Sequence, residues 1–343
     1  MKPAVLLIRA DAGHTIGTGH VMRCLALAQA WQDTGGTASL ATAELPDVLA
    51  PRLTAERVSL IRIQAIAGSS EDARETIAWA RRLAADWVVV DGDRFGADFL
   101  ETIRLAGVRV LLIDDFASRD SFPVDLIVNP NLDDDEEPYR KRGTTSTVLA
   151  GPSFVLLRRE FRPGAEQKEI RQPGHRILVS LGGSDPENLT PRIAEALAAC
   201  SSLEITVIAG AGYDKVSELR RLDGSNLRIV INPPNIVQFM KDSDQAIIAA
   251  GGTLWELLFM GCAVFSYSRN VVQARVVQVL SQRETVVDMG ATSRFDGVQL
   301  VRVVQELVNS IKTRERMAYL GRKLVDGLGA ARVVEALRTG MQG

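Results

Sequence analysis

The sequence predicts an α/β protein built from two doubly wound parallel-sheet domains, and three observations support this fold class. Apolar runs of strand length alternate with segments of helical periodicity from the start of the chain. The same alternation starts again in the second half, after a charged stretch that contains proline. The chain has 343 residues, and at roughly 100–200 residues per domain this length suffices for two domains with separate cores.

The first half opens with a strand and a helix. The apolar run Ala4–Ile8 predicts the strand, and apolar residues at steps of three and four predict the helix over Val21–Trp31. Gly35 and Gly36 follow as a helix stop. Because the strand runs are continuously apolar, we expect helices on both faces of the sheet. Further strands of this half are predicted at Ala38–Ala41, Val58–Ile63, Trp87–Val90 and Val108–Ile113.

The second half repeats this opening after the charged stretch Arg158–Gly174. The apolar run Ile177–Leu181 predicts a strand, which leads through a glycine turn into a predicted helix over Leu189–Ala199. The half therefore begins as the first one does. Its further strands are predicted at Ile205–Ala209, Leu227–Ile231, Gln245–Ala249 and Ala263–Ser266.

Two domains follow from this repetition, at 1–165 and 175–343, with a polar linker between them. Apolar periodicity from Val298 to Leu337 predicts two or three helices that close the second domain. Two similar α/β halves resemble the two-Rossmann-domain architecture of nucleotide-sugar glycosyltransferases and epimerases. In that architecture the ligand lies in the cleft between the domains, beyond the carboxyl ends of the strands.

Composition excludes several classes of protein. Hydrophobic residues make up 46% and charged residues 24% of the chain, which is typical of soluble globular proteins. A formal charge of -2 removes the general attraction to nucleic acid or an anionic membrane, so we expect neither partner. The opening apolar run is too short for a signal peptide, and no stretch is apolar enough to span a bilayer. Three scattered cysteines without a CxxC spacing predict a cytoplasmic protein with no disulfide and no zinc.

The first candidate site is the segment between the first strand and the first helix, in which Arg9 and Asp11 are expected to contact substrate and His20 to be catalytic. Gly17 and Gly19 allow the backbone to approach a ligand, and the helix start exposes free N–H groups. The positive end of the helix dipole disfavours imidazolium, so we expect a neutral His20 near pH 7 that acts as a base. The alternative is a helix-capping histidine beside an ordinary glycine turn.

The second candidate is the turn Gly182, Gly183 and Ser184, at the corresponding place in the second half. Such a loop, leading into a helix, can hold a pyrophosphate on backbone amides without a lysine. The alternative is a tight turn in which Ser184 or Asp185 caps the helix.

The third candidate is the segment Gly251, Gly252, Thr253 and Glu256. An acidic residue about one turn into a helix that starts at glycines can bind the hydroxyls of a ribose. The alternative is an exposed helix residue, although a carboxylate among apolar neighbours requires a partner.

Acidic residues also end two predicted strands, at Asp91, Asp93, Asp114 and Asp115. They are expected to bind substrate or to cap helices, and their spacing does not indicate a metal site. His14 and His175 are expected in loops, and the acidic run Asp133–Glu137 is expected to be a solvated loop.

Taken together, these motifs resemble one family, the UDP-2,4-diacetamido-2,4,6-trideoxy-β-L-altropyranose hydrolases of pseudaminic acid biosynthesis, with the related spore-coat polysaccharide proteins. The resemblance extends over about residues 4 to 280, and the segment IGTGHVMRCL at residues 16–25 is its specific part. The other shared segments are Arg9–Asp11, Ile113–Asp115, Gly151–Arg158, Gly182–Pro186 and Gly251–Glu256.

The resemblance implies a glycosyltransferase-B-like fold, with the two domains facing a cleft, and hydrolysis of a UDP-sugar with inversion. It implies that His20 activates water and that Gly17 and Gly19 shape the sugar pocket. The residues implied to hold UDP are Gly182, Gly183, Ser184, Gly251, Gly252, Thr253 and Glu256. Neither cofactor nor metal is implied, and the oligomeric state stays open.

The sugar contacts are where this chain differs from the family pattern. Asp91-Gly92-Asp93 stands where Asp-His-Tyr is common, and Asn270 and Gln273 form an Asn-Gln pair that is split by two valines. We expect these residues to contact the sugar. Two alternatives to hydrolysis are a glycosyltransferase of the same fold, with His20 activating an acceptor hydroxyl, and a nucleotide-sugar binding protein without catalysis.

Overall fold

Two parallel β-sheets organise the chain in the computed structural model, which describes residues 3–13, 16–131, 136–165, 169–210 and 212–341. His14 and most of the acidic run 133–137 lie outside these ranges. Within the described residues the first sheet has seven strands and the second has six. Both sheets carry helices on both faces, so the predicted fold class of two parallel-sheet α/β domains is confirmed.

The first sheet has the strand order β3-β2-β1-β4-β5-β6-β7. The chain runs outward from β1 in one direction and then returns to its other side, which makes the β1/β4 junction a topological switch point. The strands are β1 (Val5–Ala10), β2 (Thr37–Thr42), β3 (Ser59–Arg62), β4 (Trp87–Asp91), β5 (Val110–Ile113), β6 (Leu126–Asn129) and β7 (Thr147–Ala150). The helices before the second sheet are α1 (Gly19–Asp33), α2 (Ala50–Ala55), α3 (Ser70–Leu83), α4 (Ala97–Leu105) and α5 (Glu137–Arg140).

The second sheet has the order β10-β9-β8-β11-β12-β13, with its switch point between β8 and β11. Its strands are β8 (Arg176–Ser180), β9 (Glu204–Ala209), β10 (Leu227–Ile231), β11 (Gln245–Ala249), β12 (Ala263–Ser268) and β13 (Val286–Ala291). The remaining helices are α6 (Leu189–Ala198), α7 (Val216–Leu219), α8 (Ile236–Asp242), α9 (Gly252–Met260), α10 (Val271–Gln282), α11 (Gly297–Asn309), α12 (Ile311–Leu324) and α13 (Gly329–Thr339).

The predicted strands agree with the observed ones to within two residues at each end. The reason is burial on both faces: Leu6 and Ile8 of β1 belong to one apolar core and Leu7 to the core on the other side of the sheet. Burial therefore produces the continuous apolar runs from which the strands were predicted.

The chain divides into two compact units. Unit 1 comprises residues 1–159 together with 327–343, and unit 2 comprises residues 160–326. The final helix α13 was expected to close the second domain, but Ala330, Val333 and Leu337 are buried in the core of unit 1. This differs from the predicted division because apolar periodicity shows that a helix has a buried face, and not which sheet covers that face.

Neither a membrane span nor a metal cluster is found in the described residues. No helix there is long and apolar enough to cross a bilayer. The same residues contain no group of three or more His, Cys, Asp or Glu side chains that could hold a metal ion.

Candidate functional site

In unit 1 the loop between β1 and α1 forms a closed glycine turn. The backbone N–H of Gly17 donates to the carbonyl oxygen of Gly13 at 2.8 Å, and the reverse bond is 3.1 Å long. Gly17 has a φ of +72°, a conformation that favours glycine. The helix begins at Gly19, and the preceding Thr18 makes no side-chain capping bond. His20 therefore lies at the start of a helix whose first N–H groups are not capped by the Thr18 side chain.

His20 forms a hydrogen-bonded pair with Asp91. Strand β4 lies beside β1 in register, with Asp91 opposite Ala10, so the end of β4 meets the start of α1. The Nδ1 atom of His20 lies 2.7 Å from Oδ1 of Asp91, which is fully buried, whereas the His20 side chain is 21% exposed. Because a carboxylate only accepts, Nδ1 carries the proton and the other ring nitrogen, Nε2, is the basic one.

Arg23 joins this pair to a second carboxylate, Asp115. Its guanidinium donates to both oxygens of Asp91 at 2.6 Å and to both oxygens of Asp115 at 2.6 and 2.8 Å. Asn131 donates to Asp115 at 2.7 Å. Paired bonds of this kind fix both distance and plane, so Arg23 positions the carboxylate that in turn positions His20.

The charge of His20 follows from these neighbours. Burial lowers the pKa of His20. The charge of Asp91 and its hydrogen bond raise the pKa by more than burial lowers it, so the pKa lies above its ordinary value. Burial alone would raise the pKa of Asp91, yet the charges of Arg23 and His20 hold it far below its usual range. The expectation of a neutral His20 considered only the helix dipole, which lowers the pKa, and left out the carboxylate that β4 supplies, which raises it.

The other acidic residues at this edge have different surroundings. Asp93 is an exposed residue. Its pKa lies above the ordinary value, because desolvation and the charge of Asp115 raise the pKa while the charge of His20 lowers it only in part. Asp93 therefore lies within electrostatic range of the His20 ring. Asp114 is buried and accepts hydrogen bonds from the backbone of Ala117 at 2.7 Å and from the hydroxyl of Tyr139 at 2.6 Å. Asp114 therefore supports the loop after β5, and these bonds do not form the helix cap that was predicted as its alternative role.

Arg9 and Asp11, predicted to contact substrate, form a buried ion-pair network instead. The Arg9 guanidinium is fully buried and donates to both oxygens of Asp72 at 2.8 Å and to Asp11 at 2.7 Å. Asp11 also accepts from the backbone N–H of Ala43 at 2.7 Å. This corrects the prediction for Arg9, since Asp72 and Asp11 occupy its donors. The physical reason is that Asp72, on α3, supplies a buried charge partner that no local pattern reveals.

In unit 2 the turn after β8 contains the predicted loop Gly182 to Ser184. Gly182 has a φ of +92°, which favours glycine. Asp185 is buried, and its Oδ2 accepts from the backbone N–H and the hydroxyl of Thr190 at 2.8 and 2.6 Å. The Asp185 side chain thus binds the first turn of α6, which agrees with the capping alternative stated for Asp185.

The turn after β11 leaves the start of α9 open. Gly251 and Gly252 are exposed, and a Cβ atom added to either would meet no atom within 4 Å. The helix therefore starts at a residue that has no side chain to cap it, and Glu256 lies partly buried one turn into the helix. Since β8 and β11 are neighbours, with Ser180 opposite Ile248, both glycine turns emerge at one edge of the sheet.

Asn270 and Gln273 form the cap of α10. The Asn270 side chain accepts from the backbone N–H of Gln273 at 2.9 Å, and the Gln273 side chain accepts from the backbone N–H of Arg269 at 2.8 Å. A helix cap accounts for this pair without a ligand. Their contact with a sugar therefore stays a prediction.

Sequence reasoning missed two arginines, Arg23 and Arg269. The signal for Arg23 was available, because residues three apart on a helix lie on one face and Arg23 follows His20 by three. For Arg269 the contacts come from a distant turn: its guanidinium donates to the carbonyl oxygen of Leu181 at 2.6 Å.

Solved structures of glycosyltransferases share this two-sheet architecture. MurG of Acinetobacter baumannii is 18% identical, with a TM-score of 0.66 over 98% of this chain and all of that one. The spinosyn rhamnosyltransferase SpnG, solved with thymidine diphosphate, is 15% identical, with a TM-score of 0.67 over 97% and 99% of the two chains. The spinosyn forosaminyltransferase SpnP is 13% identical, with a TM-score of 0.68 over both whole chains. The chain is thus an α/β protein with structural neighbours among the GT-B glycosyltransferases.

No family model matches the chain. Three characterised or uncharacterised proteins are similar to it in sequence. The UDP-2,4-diacetamido-2,4,6-trideoxy-β-L-altropyranose hydrolase of Campylobacter jejuni is 27% identical over 258 residues, which cover 74% of this chain and 88% of that protein. The spore coat polysaccharide biosynthesis protein SpsG of Bacillus subtilis is 23% identical over 248 residues, covering 71% and 73%. An uncharacterised protein of Methanocaldococcus jannaschii is 24% identical over 80% of this chain, which spans 57% of that longer protein. The homologues of this chain therefore include the hydrolase and SpsG, as the motifs predicted.

Proposed function

We propose that the protein is a nucleotide-sugar hydrolase that releases UDP and a free sugar by attack of water at the anomeric carbon, with inversion. The observation that carries this proposal is the His20–Asp91 pair at the end of β1, with a bond of 2.7 Å on Nδ1 and a partly exposed ring. The homology to the hydrolase of Campylobacter jejuni supports the reaction class.

In this reaction His20 is the general base. Nε2 accepts a proton from water while the water oxygen bonds to the anomeric carbon, and the bond to the diphosphate oxygen breaks with its electron pair leaving on UDP. Asp91 stabilises the imidazolium that forms, because Nδ1–H already donates to it. Arg23 keeps Asp91 ionised and oriented through two bonds of 2.6 Å. A base held in this way contributes about 10²–10⁴-fold to the rate.

The nucleotide is proposed to bind in unit 2. The turn Gly182 to Ser184 and the open start of α9 present backbone N–H groups at the carboxyl edge of the second sheet, and such groups bind phosphates. Glu256, one turn into α9, is proposed to bind the ribose hydroxyls. No metal or cofactor takes part in the proposed reaction.

The second candidate is a glycosyltransferase, and the solved structures with this fold favour it. The same base would then deprotonate an acceptor hydroxyl in place of water. SpsG and the hydrolase further support a role in making surface polysaccharide or pseudaminic-acid-type sugars, with a diacetamido-trideoxy sugar as the proposed substrate.

A panel of UDP-sugars, incubated with the protein and no acceptor, tests the proposal. Release of free UDP together with free sugar, followed by NMR to read the anomeric configuration, is the expected result. Turnover that requires an added acceptor would establish the transferase instead. Binding without turnover under both conditions would establish a nucleotide-sugar binding protein. The His20→Asn variant is the control that excludes a contaminating hydrolase.

A further inference from the structure

Three buried polar atoms without hydrogen-bond partners lie near the ends of β8 and β12 in the described structure. They are Oδ1 of Asp185, Oγ of Ser268 and Nε of Arg269. Buried polar atoms are nearly always bonded to protein, water or ligand. Of these atoms, Nε of Arg269 is an unused donor on a side chain that bonds to Leu181, beside the turn Gly182 to Ser184. It indicates a place where a ligand with acceptor oxygens can complete the bonding.

The guanidinium of Arg269 faces this turn. Its Nη2 donates to the carbonyl oxygen of Leu181, the residue before Gly182, at 2.6 Å. Its Nη1 is 3.9 Å from the position that a Cβ on Gly182 would occupy. The side chain is 23% exposed, so a ligand in the turn can reach it.

The carboxylate of Asp185 lies near the positive charge of Arg269, but the Nε donor of Arg269 has no hydrogen-bond partner. Nη2 lies 3.6 Å from Oδ1 of Asp185, which is close enough for attraction and too long for a hydrogen bond. The other oxygen of Asp185, Oδ2, accepts two hydrogen bonds from Thr190. The carboxylate therefore holds the guanidinium in place and leaves donors for an anion.

We infer that Arg269 binds the phosphates of the nucleotide on the turn Gly182 to Ser184, and that the site selects a nucleoside diphosphate over a nucleoside. This inference rests on the proposed nucleotide site in unit 2. A planar guanidinium with parallel N–H donors matches phosphate oxygens, and the backbone N–H groups of the turn complete their coordination.

Calorimetric titration of the full chain with uridine, UMP, UDP and inorganic pyrophosphate tests this role. In Arg269→Ala we expect binding of UDP and pyrophosphate to weaken by about 10- to 100-fold, since a hydrogen bond to a charged group is worth that much. Binding of uridine should stay unchanged. Arg269→Lys should recover part of the loss, because it keeps the charge without the paired donors. Arg275→Ala, on the exposed side of α10, is the matched control and should bind all four compounds as the wild type does.

The outcomes separate this inference from the proposed function. Equal losses for uridine and UDP in Arg269→Ala, or unchanged binding of UDP, would overturn the phosphate role and leave Arg269 as a support for the Leu181 carbonyl. Pyrophosphate binding that depends on Arg269, with no preference for any nucleotide, would keep the phosphate site and overturn the nucleotide assignment. A wild-type protein that binds neither UDP nor pyrophosphate would refute both.

Discussion

The His20 network of unit 1 and the glycine turn Gly182 to Ser184 of unit 2 are prepared in opposite ways. In unit 1 charged side chains satisfy one another: Arg23 bonds to both Asp91 and Asp115, and Asp91 also holds His20. In unit 2 the corresponding edge of the sheet has a buried donor without a partner, Nε of Arg269. Both sets lie at a topological switch point of a parallel sheet.

The two arrangements suit different tasks in the protein without ligand. A network with its bonds complete keeps one geometry and presents a single basic nitrogen, which suits a catalytic group that must already be in place. Open donors bind an anion that supplies the missing acceptors, which suits recognition. Changes in the His20 network should therefore act on rate and stability, and changes at the glycine turns of unit 2 on binding.

The largest expected effect is that of His20→Asn on turnover. Loss of the general base should lower kcat by about 10²–10⁴-fold. UDP affinity should change little, because the proposed UDP ligands belong to unit 2. Steady-state kinetics on the substrate found by the panel, with UDP titration alongside, checks both. His175→Asn is the matched control, since this histidine pairs with Glu204 on the surface. Wild-type turnover in His20→Asn would reduce His20 to a structural residue at the helix start.

Asp91→Asn should cost stability as well as rate. Breaking a buried ion pair destabilises by about 3–5 kcal/mol, and we expect the lower end, about 3 kcal/mol, because Arg23 keeps Asp115. The acidic limb of the kcat/KM profile should also move to lower pH, since Asp91 is what raises the pKa of His20. Urea unfolding and pH–rate profiles measure these effects. Asp93→Asn, at an exposed position, should change stability by less than about 0.5 kcal/mol, and a similar loss in both variants would contradict the special role of Asp91.

Glu256→Ala tests the binding side of the comparison. A ligand present at 100 times its Kd stabilises the folded state by roughly 2.7 kcal/mol. Wild-type protein should show such a gain with UDP, and Glu256→Ala should lose most of it at the same UDP concentration. Thermal unfolding with and without UDP gives the answer, with Glu306→Ala on the exposed face of α11 as the control. An undiminished gain in Glu256→Ala would remove the ribose contact from the proposal.

The smallest effect expected is on the pH dependence of stability. The pKa of His20 is raised above 6.5 on folding, so its pair with Asp91 stabilises the fold fully below pH 6.5. That contribution is lost as pH rises through the folded pKa. Asp91 stays ionised throughout, because its pKa is strongly lowered. The unfolding free energies of wild type and His20→Asn should therefore differ more at pH 6 than at pH 9, and an equal difference at both would show that the pair is not charged.

How far the fold could be predicted is clear from the strands that were missed, β6, β7 and β13. The buried run of β6 is only four residues long and lies between Pro123 and Pro130. Strand β7 is a partly exposed edge strand, and β13 contains Asp288 and Gly290. Short or edge strands bury too little to produce the long apolar runs that reveal a central strand.

The candidate site could be predicted only where one segment carries it. His20 and the glycine turns stand out because turn, glycine and helix start are adjacent in sequence. The partners of His20 and Arg23 are 71 and 92 residues away, and Arg269 bonds to a carbonyl 88 residues away. Such pairs depend on which strands become neighbours, as β1 and β4 do, and hydrophobic periodicity contains no information on strand order.

The return of α13 to unit 1 has a consequence for synthesis on the ribosome. The core around Trp31 requires Ala330, Val333 and Leu337, and Trp87 donates its indole N–H to the carbonyl of Leu337 at 3.1 Å. Unit 2, residues 160–326, is translated in between as one uninterrupted piece. Unit 1 begins the chain but cannot bury its last apolar face until residues 329–339 have been translated, so nascent chains that stop before them would expose that face to chaperones and proteases.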